Sequence, residues 1–95
     1  MSKIDKLIKY LERHTQMNQI SDWHKGCVSS QNYIIDHLKK SKSIYFTHDE
    51  IIKYKNHIKK SDKRIAYKNT VLAGNWYGLC EFDKIFKNWR KNETE

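Results

Sequence analysis

The sequence predicts a small, predominantly all-α protein, a single-domain bundle of four or five helices. Its 95 residues include no proline and only three glycines, so few residues interrupt a helix. Apolar residues recur at helical spacing in several separate segments. This length supports one domain, and we expect residues 1–95 to form it, with residues 91–95 as a frayed tail.

The first predicted helix runs from about Ser2 to Thr15. Ser2 is a suitable N-cap residue, and Asp5 lies in the first turn, where the helix dipole favours a negative charge. The apolar residues follow the spacing i, i+3, i+4, i+7 and therefore share one face: Ile4, Leu7, Ile8 and Leu11.

The next segment predicts two helices separated by a glycine. Ser21 or Asp22 caps a short helix that breaks near Gly26, and a second helix continues to about Lys40. This outline is that of a helix-turn-helix motif. However, Asn32 occupies a position where that motif requires an aliphatic residue. Two ordinary packed helices are therefore the favoured interpretation.

Residues 43–46 form the one short β-like segment of the sequence. Thr47 and Glu50 then match the capping box S/T-x-x-E, with Phe46 in the position of a hydrophobic staple. We therefore expect a helix over residues 48–60.

Two further helices are expected in the last third of the chain. The first runs from Arg64 to Ala73 and ends at Gly74 in a left-handed conformation. The second begins near Leu79 and carries large apolar side chains at helical spacing: Leu79, Phe82, Phe86 and Trp89.

These apolar stripes together predict one aromatic and aliphatic core. Its expected members are Ile4, Leu7, Ile8, Leu11, Trp23, Val28, Ile35, Leu38, Ile51, Ile58, Ile65, Leu72, Leu79, Phe82, Phe86 and Trp89. Cys27 and Cys80 are expected to be reduced, buried thiols, because the sequence shows no secretory signal. We accordingly expect a cytoplasmic protein that has no contact with a membrane.

The charge of the chain predicts a polyanionic partner. The net charge is +8, and residues 48–74 contribute seven basic and three acidic residues, whereas residues 75–95 contribute four of each. Neighbouring lysines four residues apart destabilise a helix, so an external anion would supply the missing countercharge. We expect contacts with DNA or RNA phosphates through a lysine-rich helical face: Lys53, Lys55, Lys59, Lys60, Lys63, Arg64, Tyr67 and Lys68.

A second class of function uses nearly the same residues. Lysines outnumber arginines by 16 to 3, and this bias towards AT-rich codons fits a phage or another mobile element. Such a protein could inhibit a host nucleoprotein or nuclease, for example as an anti-CRISPR or other anti-defence protein. Trp76 and Tyr77, between two predicted helices, are the candidate aromatic hot spot. A wide apolar face would also allow a homodimer.

No pattern in the sequence predicts catalysis, a cofactor or a metal site. His24 and Cys27 have the spacing of two zinc ligands, but no second pair accompanies them. A metal-independent ribonuclease needs a general acid and a general base at one phosphate. His48 and His57 are nine residues apart on one predicted helix, which places them on opposite faces. We therefore expect a protein that is not an enzyme.

Overall fold

A computed structural model of the protein describes residues 2–15, 21–61 and 70–94. Within these ranges the chain forms four α-helices and no strand. The helices are α1 (Lys3–His14), α2 (Asp22–Ser41), α3 (Ile44–Ser61) and α4 (Val71–Thr94). The predicted all-α bundle is confirmed. The ends of the helices differ from the sequence prediction at several points.

Helix α1 begins and ends where the sequence predicts. The Oγ of Ser2 accepts a hydrogen bond from the Asp5 N–H at 3.2 Å, which makes Ser2 the N-cap. Leu7, Ile8 and Leu11 are buried and form the apolar face with which α1 packs against α2.

Helix α2 is continuous, so the predicted break at Gly26 is wrong. Ser21 caps its N-terminus by accepting a hydrogen bond from the His24 N–H at 3.3 Å. Gly26 is buried within the helix beside the backbone of α4. Residues 21–41 therefore form no helix-turn-helix.

The helix predicted over residues 48–60 lies within α3, but the predictions of a β-like segment at residues 43–46 and of a helix start at Thr47 are wrong. The β-like segment is the first turn of α3, and the Oγ of Ser43 caps this turn by accepting from the Phe46 N–H at 3.2 Å. Lys42 caps the end of α2 in the left-handed conformation with a φ of 54°, so that two residues, Lys42 and Ser43, connect α2 to α3. Phe46 is 68% exposed and therefore does not form a staple.

Thr47 serves a different purpose from the predicted N-cap. Its side chain is fully buried, and its Oγ1 lies 3.1 Å from both the His37 Nδ1 and the Ser41 Oγ. The hydroxyl thus links α2 to α3 through partly buried hydrogen bonds, and the capping-box pattern does not mark a helix start here.

Helix α4 begins at Val71 and passes through Gly74 and Gly78 without interruption. The predictions of a helix end at Gly74 and of a new helix near Leu79 are therefore wrong. No glycine of the described ranges has a positive φ. Most of the predicted helix from Arg64 to Ala73 lies outside the described residues, whereas α4 extends to Thr94 through the segment expected to be a tail.

The glycines allow α2 and α4 to pack backbone against backbone. A Cβ at Gly26 would overlap the Val71 carbonyl oxygen, and a Cβ at Gly74 would overlap the Trp23 carbonyl oxygen. At Gly78 a Cβ would lie 2.7 Å from the Ser30 Oγ and 2.9 Å from the Cys27 carbonyl oxygen. Glycine is needed at these positions for close approach rather than for a turn.

All four helices contribute to the core, which includes most of the predicted residues. Leu72 is an error, since it is 36% exposed, and Ile65 lies outside the described residues. Ile44, within the expected β-like segment, is a core residue that the sequence prediction missed. The buried apolar side chains of the main cluster are Leu7, Ile8, Leu11, Ile34, Ile35, Leu38, Ile44, Ile51, Ile58, Ala73, Leu79, Phe82 and Phe86.

Cys27 and Cys80 are free thiols, the first buried and the second half-buried. None of the helices in the described ranges combines the length and the apolar character needed to cross a membrane.

Candidate nucleic-acid interface

The predicted binding residues do not share one surface. Lys63, Arg64, Tyr67 and Lys68 lie outside the described residues. The four lysines on α3 divide into two groups. Lys55 and Lys59 line a cleft with residues of α4, whereas Lys53 lines a groove beside α2, because two residues along a helix rotate the side chain by about 200°. Lys60 lies seven residues after Lys53, on the Lys53 side of the helix.

The centre of the α3/α4 junction is a buried carboxylate. The Asp83 side chain on α4 is only 10% exposed. Its Oδ1 lies 2.5 Å from the His48 Nε2, and its Oδ2 accepts a hydrogen bond from the Lys55 Nζ at 3.0 Å. The Lys87 Nζ is 3.6 Å from the same Oδ2. One carboxylate therefore connects two residues of α3 with a lysine of its own helix.

His48 extends this network to Arg90. The His48 Nδ1 lies 2.7 Å from an Nη of Arg90, and a guanidinium can only donate, so Nδ1 accepts this hydrogen bond. The ring hydrogen is therefore on Nε2, which donates to Asp83. The ring is 3% exposed and stacks on Phe86 with centroids 6.2 Å apart. This geometry fixes both the imidazole and the guanidinium in place.

Asp83 remains ionised in this environment. Burial by itself raises the pKa of its carboxyl group, but the hydrogen bonds from His48 and Lys55 and the charges of Lys55 and Lys87 outweigh burial. The pKa of Asp83 is consequently lowered from its usual value. A charged, acceptor-only carboxylate is what holds the neighbouring donors in position.

Positive charge exceeds negative charge around Asp83. Two clefts lie beside the network of Asp83 and His48. The first, of about 240 Å³, is lined by Asp83 together with Asn56 and Trp76. The second, of about 290 Å³, is lined by His48 together with Tyr45. We call the surface formed by these two clefts the α3/α4 cationic face. Five cations line it: Lys55, Lys59, Lys87, Arg90 and Lys91.

Two aromatic rings border the α3/α4 cationic face. The Lys55 Nζ lies 5.2 Å from the centroid of the Trp76 ring, and the Arg90 Cζ lies 4.6 Å from that of Tyr45. Cations over aromatic faces at these distances are attracted by the ring quadrupole. The face therefore combines oriented cations with π-surfaces, which are the groups that bind phosphates and bases.

The predicted hot-spot pair does not act as one surface. Trp76 and Tyr77 lie within α4, not between helices. Trp76 is partly buried and contacts Lys55, whereas Tyr77 is 43% exposed and its ring packs against Trp23 with centroids 4.7 Å apart. Only Trp76 belongs to the α3/α4 cationic face.

The sequence prediction missed the contribution of α4 to this face. In the sequence, residues 75–95 have no net charge. In the structure, one of their acidic residues, Glu81, lies near α2, where it accepts a hydrogen bond from Gln31 at 3.4 Å. Glu81 is therefore not among the residues that line the α3/α4 cationic face. A usable signal was present, because Lys84, Lys87 and Lys91 follow the spacing i, i+3, i+7 of one helix face.

His48 and His57 lie on opposite sides of α3, as nine residues of helix require. His48 is buried in the α3/α4 junction, and His57 lines the groove with Lys53. The described part of the chain contains no group of three or more histidine, cysteine, aspartate or glutamate residues that could hold a metal ion.

Comparison with known proteins gives no relative: the chain matches no protein-family model, no curated protein sequence and no solved structure at a significant level.

Proposed function

We propose that this protein binds the phosphate backbone of DNA or RNA through the α3/α4 cationic face. The observation that supports this proposal is that five cations line two clefts that share Lys87, and Asp83 is the one acidic residue among the lining residues of these clefts. A duplex or single strand presents closely spaced phosphates, which would neutralise this surplus and release counterions.

The network around Asp83 prepares the face for an anion. Lys55 and Arg90 are held by hydrogen bonds to Asp83 and His48, so part of their side-chain entropy is already lost before binding. Arg90 retains further N–H donors beyond the one that bonds His48, and a guanidinium fork suits a phosphate group. Preorganised cations of this kind bind more strongly than lysines that move freely in solvent.

The chemistry of the face favours backbone contact over base reading. Four of its five cations are lysines, which act as point charges, whereas guanine is best recognised by the bidentate fork of arginine. We therefore expect a steep dependence of affinity on salt and a weak dependence on sequence.

Fluorescence anisotropy with labelled single- and double-stranded DNA and RNA, at about 50 mM and about 200 mM salt, tests this proposal. We expect a double variant, Lys59→Gln with Lys87→Gln, to bind at least about tenfold more weakly at the lower salt concentration. Its slope of log affinity against log salt should fall by up to about two. Both lysines are exposed, so circular dichroism should show an intact fold.

The matched control removes the same charge from α1. Lys6→Gln with Lys9→Gln changes two exposed lysines that line a separate cleft with Tyr10 and Arg13. This control should bind within about twofold of wild type. Equal losses in both double variants would show that net charge alone attracts the polymer, and absence of wild-type binding near physiological salt would refute the proposal.

An inhibitor of a host nucleoprotein or nuclease is the second candidate. Phe46 is 68% exposed and the adjacent Tyr45 is 41% exposed, and Tyr45 borders the α3/α4 cationic face. An apolar anchor beside cations fits an acidic protein surface. The second candidate replaces the first if the wild-type protein does not bind nucleic acid but forms a stoichiometric complex with a nuclease or nucleoprotein. In that case Phe46→Ser should weaken the complex.

A further inference from the structure

A further groove lies on the other side of α3, between α2 and α3. Its volume is about 590 Å³, larger than either cleft of the α3/α4 cationic face. Both helices contribute to its lining: Ser29, Tyr33, Glu50, Lys53, Tyr54 and His57. The nucleic-acid contacts proposed above leave this groove unused.

The groove presents a tyrosine ring in a fixed orientation. Tyr33 is 47% exposed, and its O–H donates a hydrogen bond to the Glu50 Oε1 at 2.9 Å. Its ring also meets the ring of Tyr54 edge to face, with centroids 5.6 Å apart and planes at 80°. The hydrogen bond to Glu50 raises the pKa of the Tyr33 hydroxyl, so the ring stays neutral near pH 7. Two restraints therefore hold an exposed, uncharged π-surface in place.

We infer that this groove binds one unpaired nucleobase, stacked on Tyr33, and that the protein thereby prefers single strands to duplexes. The inference rests on the proposed function, since the α3/α4 cationic face supplies the phosphate contacts. A base inside a duplex is already stacked on both sides and does not expose a face to a protein ring. An unpaired base does, and stacking on aromatic side chains is a main source of affinity for single strands.

The charges at the groove distinguish a base from a free anion. The Glu50 carboxylate repels phosphate from the inside of the groove, so an inorganic phosphate or sulfate is a poor ligand there. Lys53 lines the groove and its side chain is exposed, so it can contact the phosphate next to a bound base. The arrangement favours a neutral ring inside the groove and a charged backbone at its edge.

The groove and the α3/α4 cationic face are close enough for one strand to contact both. They flank the same helix, and a helix with its side chains is about 10 Å across. Between Lys59 of the α3/α4 cationic face and Lys53 of the groove, the exposed surface of α3 carries one acidic, one apolar, one polar and one basic side chain: Asp49, Ile52, Asn56 and Lys60. A strand of a few nucleotides can cross α3 at the end away from Asp49, with its phosphates at Lys59 and Lys60 and one base turned into the groove.

Affinity measurements with four probes test the inference at about 150 mM salt: a single-stranded DNA, the matching RNA, the duplex, and an abasic DNA strand of equal length, each of about 12 nucleotides. We expect wild type to bind the normal single strands roughly tenfold more tightly than either the duplex or the abasic strand. Tyr33→Leu should lower single-strand affinity to the level of the abasic strand and leave duplex affinity unchanged. Tyr33→Phe keeps the ring and should stay within about twofold of wild type.

The results separate this inference from the proposed function. If wild type binds normal and abasic strands equally and Tyr33→Leu has no effect, the base groove is refuted while phosphate binding stands. If wild type binds none of the four probes, both proposals fall.

A photochemical measurement on the unmodified chain covers the case in which Tyr33→Leu does not fold. A strand that contains 5-iodouridine or 5-iodo-deoxyuridine is crosslinked to wild type, and the adduct is located by mass spectrometry. An adduct at Tyr33 or Tyr54 supports the inference. Adducts confined to Tyr45 or Trp76, at the α3/α4 cationic face, overturn it.

Discussion

Helix α4 packs against α2 and α3 by two different means. Against α2 the contact is between backbones, with Gly74 beside the Trp23 carbonyl group and Gly26 beside the Val71 carbonyl group. Against α3 the junction contains a charged network in which Asp83 joins His48 and Lys55. The first contact depends on the absence of side-chain atoms, and the second depends on ionised groups.

This difference indicates which surface is structural and which is available for binding. The α2/α4 contact leaves no room for a ligand at its glycines, and the Glu81 carboxylate at its edge accepts a hydrogen bond from Gln31. The α3/α4 junction is balanced only in part, because Asp83 contacts both Lys55 and Lys87, and the Lys87 side chain is 66% exposed. Solution conditions such as pH and salt should therefore affect the second contact more than the first.

The largest effect is expected for Gly74→Ala. In an exposed helix this change stabilises by about 1 kcal/mol, since alanine has the higher helix propensity. Here the new Cβ overlaps the Trp23 carbonyl oxygen, so α2 and α4 must separate, and we expect a loss of about 3 kcal/mol or more. Urea unfolding followed by tryptophan fluorescence measures the loss. Asn88→Ala, at an exposed position of α4, is the control and should change stability by less than about 0.5 kcal/mol.

If Gly74→Ala proves neutral or stabilising, α2 and α4 do not pack as closely at Gly74 as described above.

The next effect is that of Asp83→Asn, which leaves Lys55 and His48 without their charged acceptor. We expect a loss of about 3 kcal/mol at pH 7. The pKa of Asp83 is lowered in the folded protein, so its contribution is present above the unfolded value of about 3.9 and disappears as the pH falls through the folded value. The stability difference between wild type and Asp83→Asn should therefore shrink below about pH 4.

Urea titrations at several pH values measure this difference, and Gly78→Ala serves as a variant whose effect should not change with pH. A difference for Asp83→Asn that stays constant down to acid pH would contradict the role of an ionised Asp83.

The reactivity of the buried Cys27 thiol depends on how often the α2/α4 contact opens. Burial, together with the nearby Glu81 carboxylate, raises the pKa of its thiol to about 11, so at pH 8 it contains at least about 100-fold less thiolate than an ordinary cysteine. In a Cys80→Ser variant we expect labelling by a thiol reagent to be at least about 100-fold slower in the folded than in the urea-unfolded protein. Similar rates in both states would mean that the contact opens readily.

The smallest effect is expected for Gly78→Ala. Its new Cβ meets the Ser30 Oγ at 2.7 Å, and this side chain can rotate away, although the Cys27 carbonyl oxygen at 2.9 Å remains close. The gain in helix propensity offsets part of the strain, so a net change below about 1 kcal/mol is expected in urea unfolding. A loss as large as that of Gly74→Ala would show that the close contact extends further along α4.

The fold class and most of the core were predictable because they depend on helical periodicity. Ile4, Leu7 and Leu11 repeat along α1, and Phe82 and Phe86 repeat along α4, so local spacing identified their faces. The continuity of α2 through Gly26, the start of α3 and the bounds of α4 were not predictable in this way. Glycine is read as a helix breaker unless another helix lies against it, and this contact at Gly26 and Gly74 is made by residues about 50 positions away.

The candidate site was predicted in part for a similar reason. Lys55 and Lys59 were identified from the density of lysine on α3, which is a local property. Their partners Asp83, Lys87 and Arg90 come from α4, and only tertiary packing brings them together. Lys53 was assigned to the same face but lies in the α2/α3 groove, because clustering along the sequence does not specify the side of a helix.

The central position of α4 has a consequence for synthesis on the ribosome. Gln31 on α2 donates to the Gly78 carbonyl group at 3.3 Å, across 47 residues of sequence, and α4 is also the helix that completes the core of α3. The first three helices can therefore form the α2–α3 pair, but the large apolar side chains that α4 adds to the shared core are then missing: Leu79, Phe82 and Phe86. Until α4 has left the exit tunnel, the nascent chain exposes this apolar surface to chaperones and proteases.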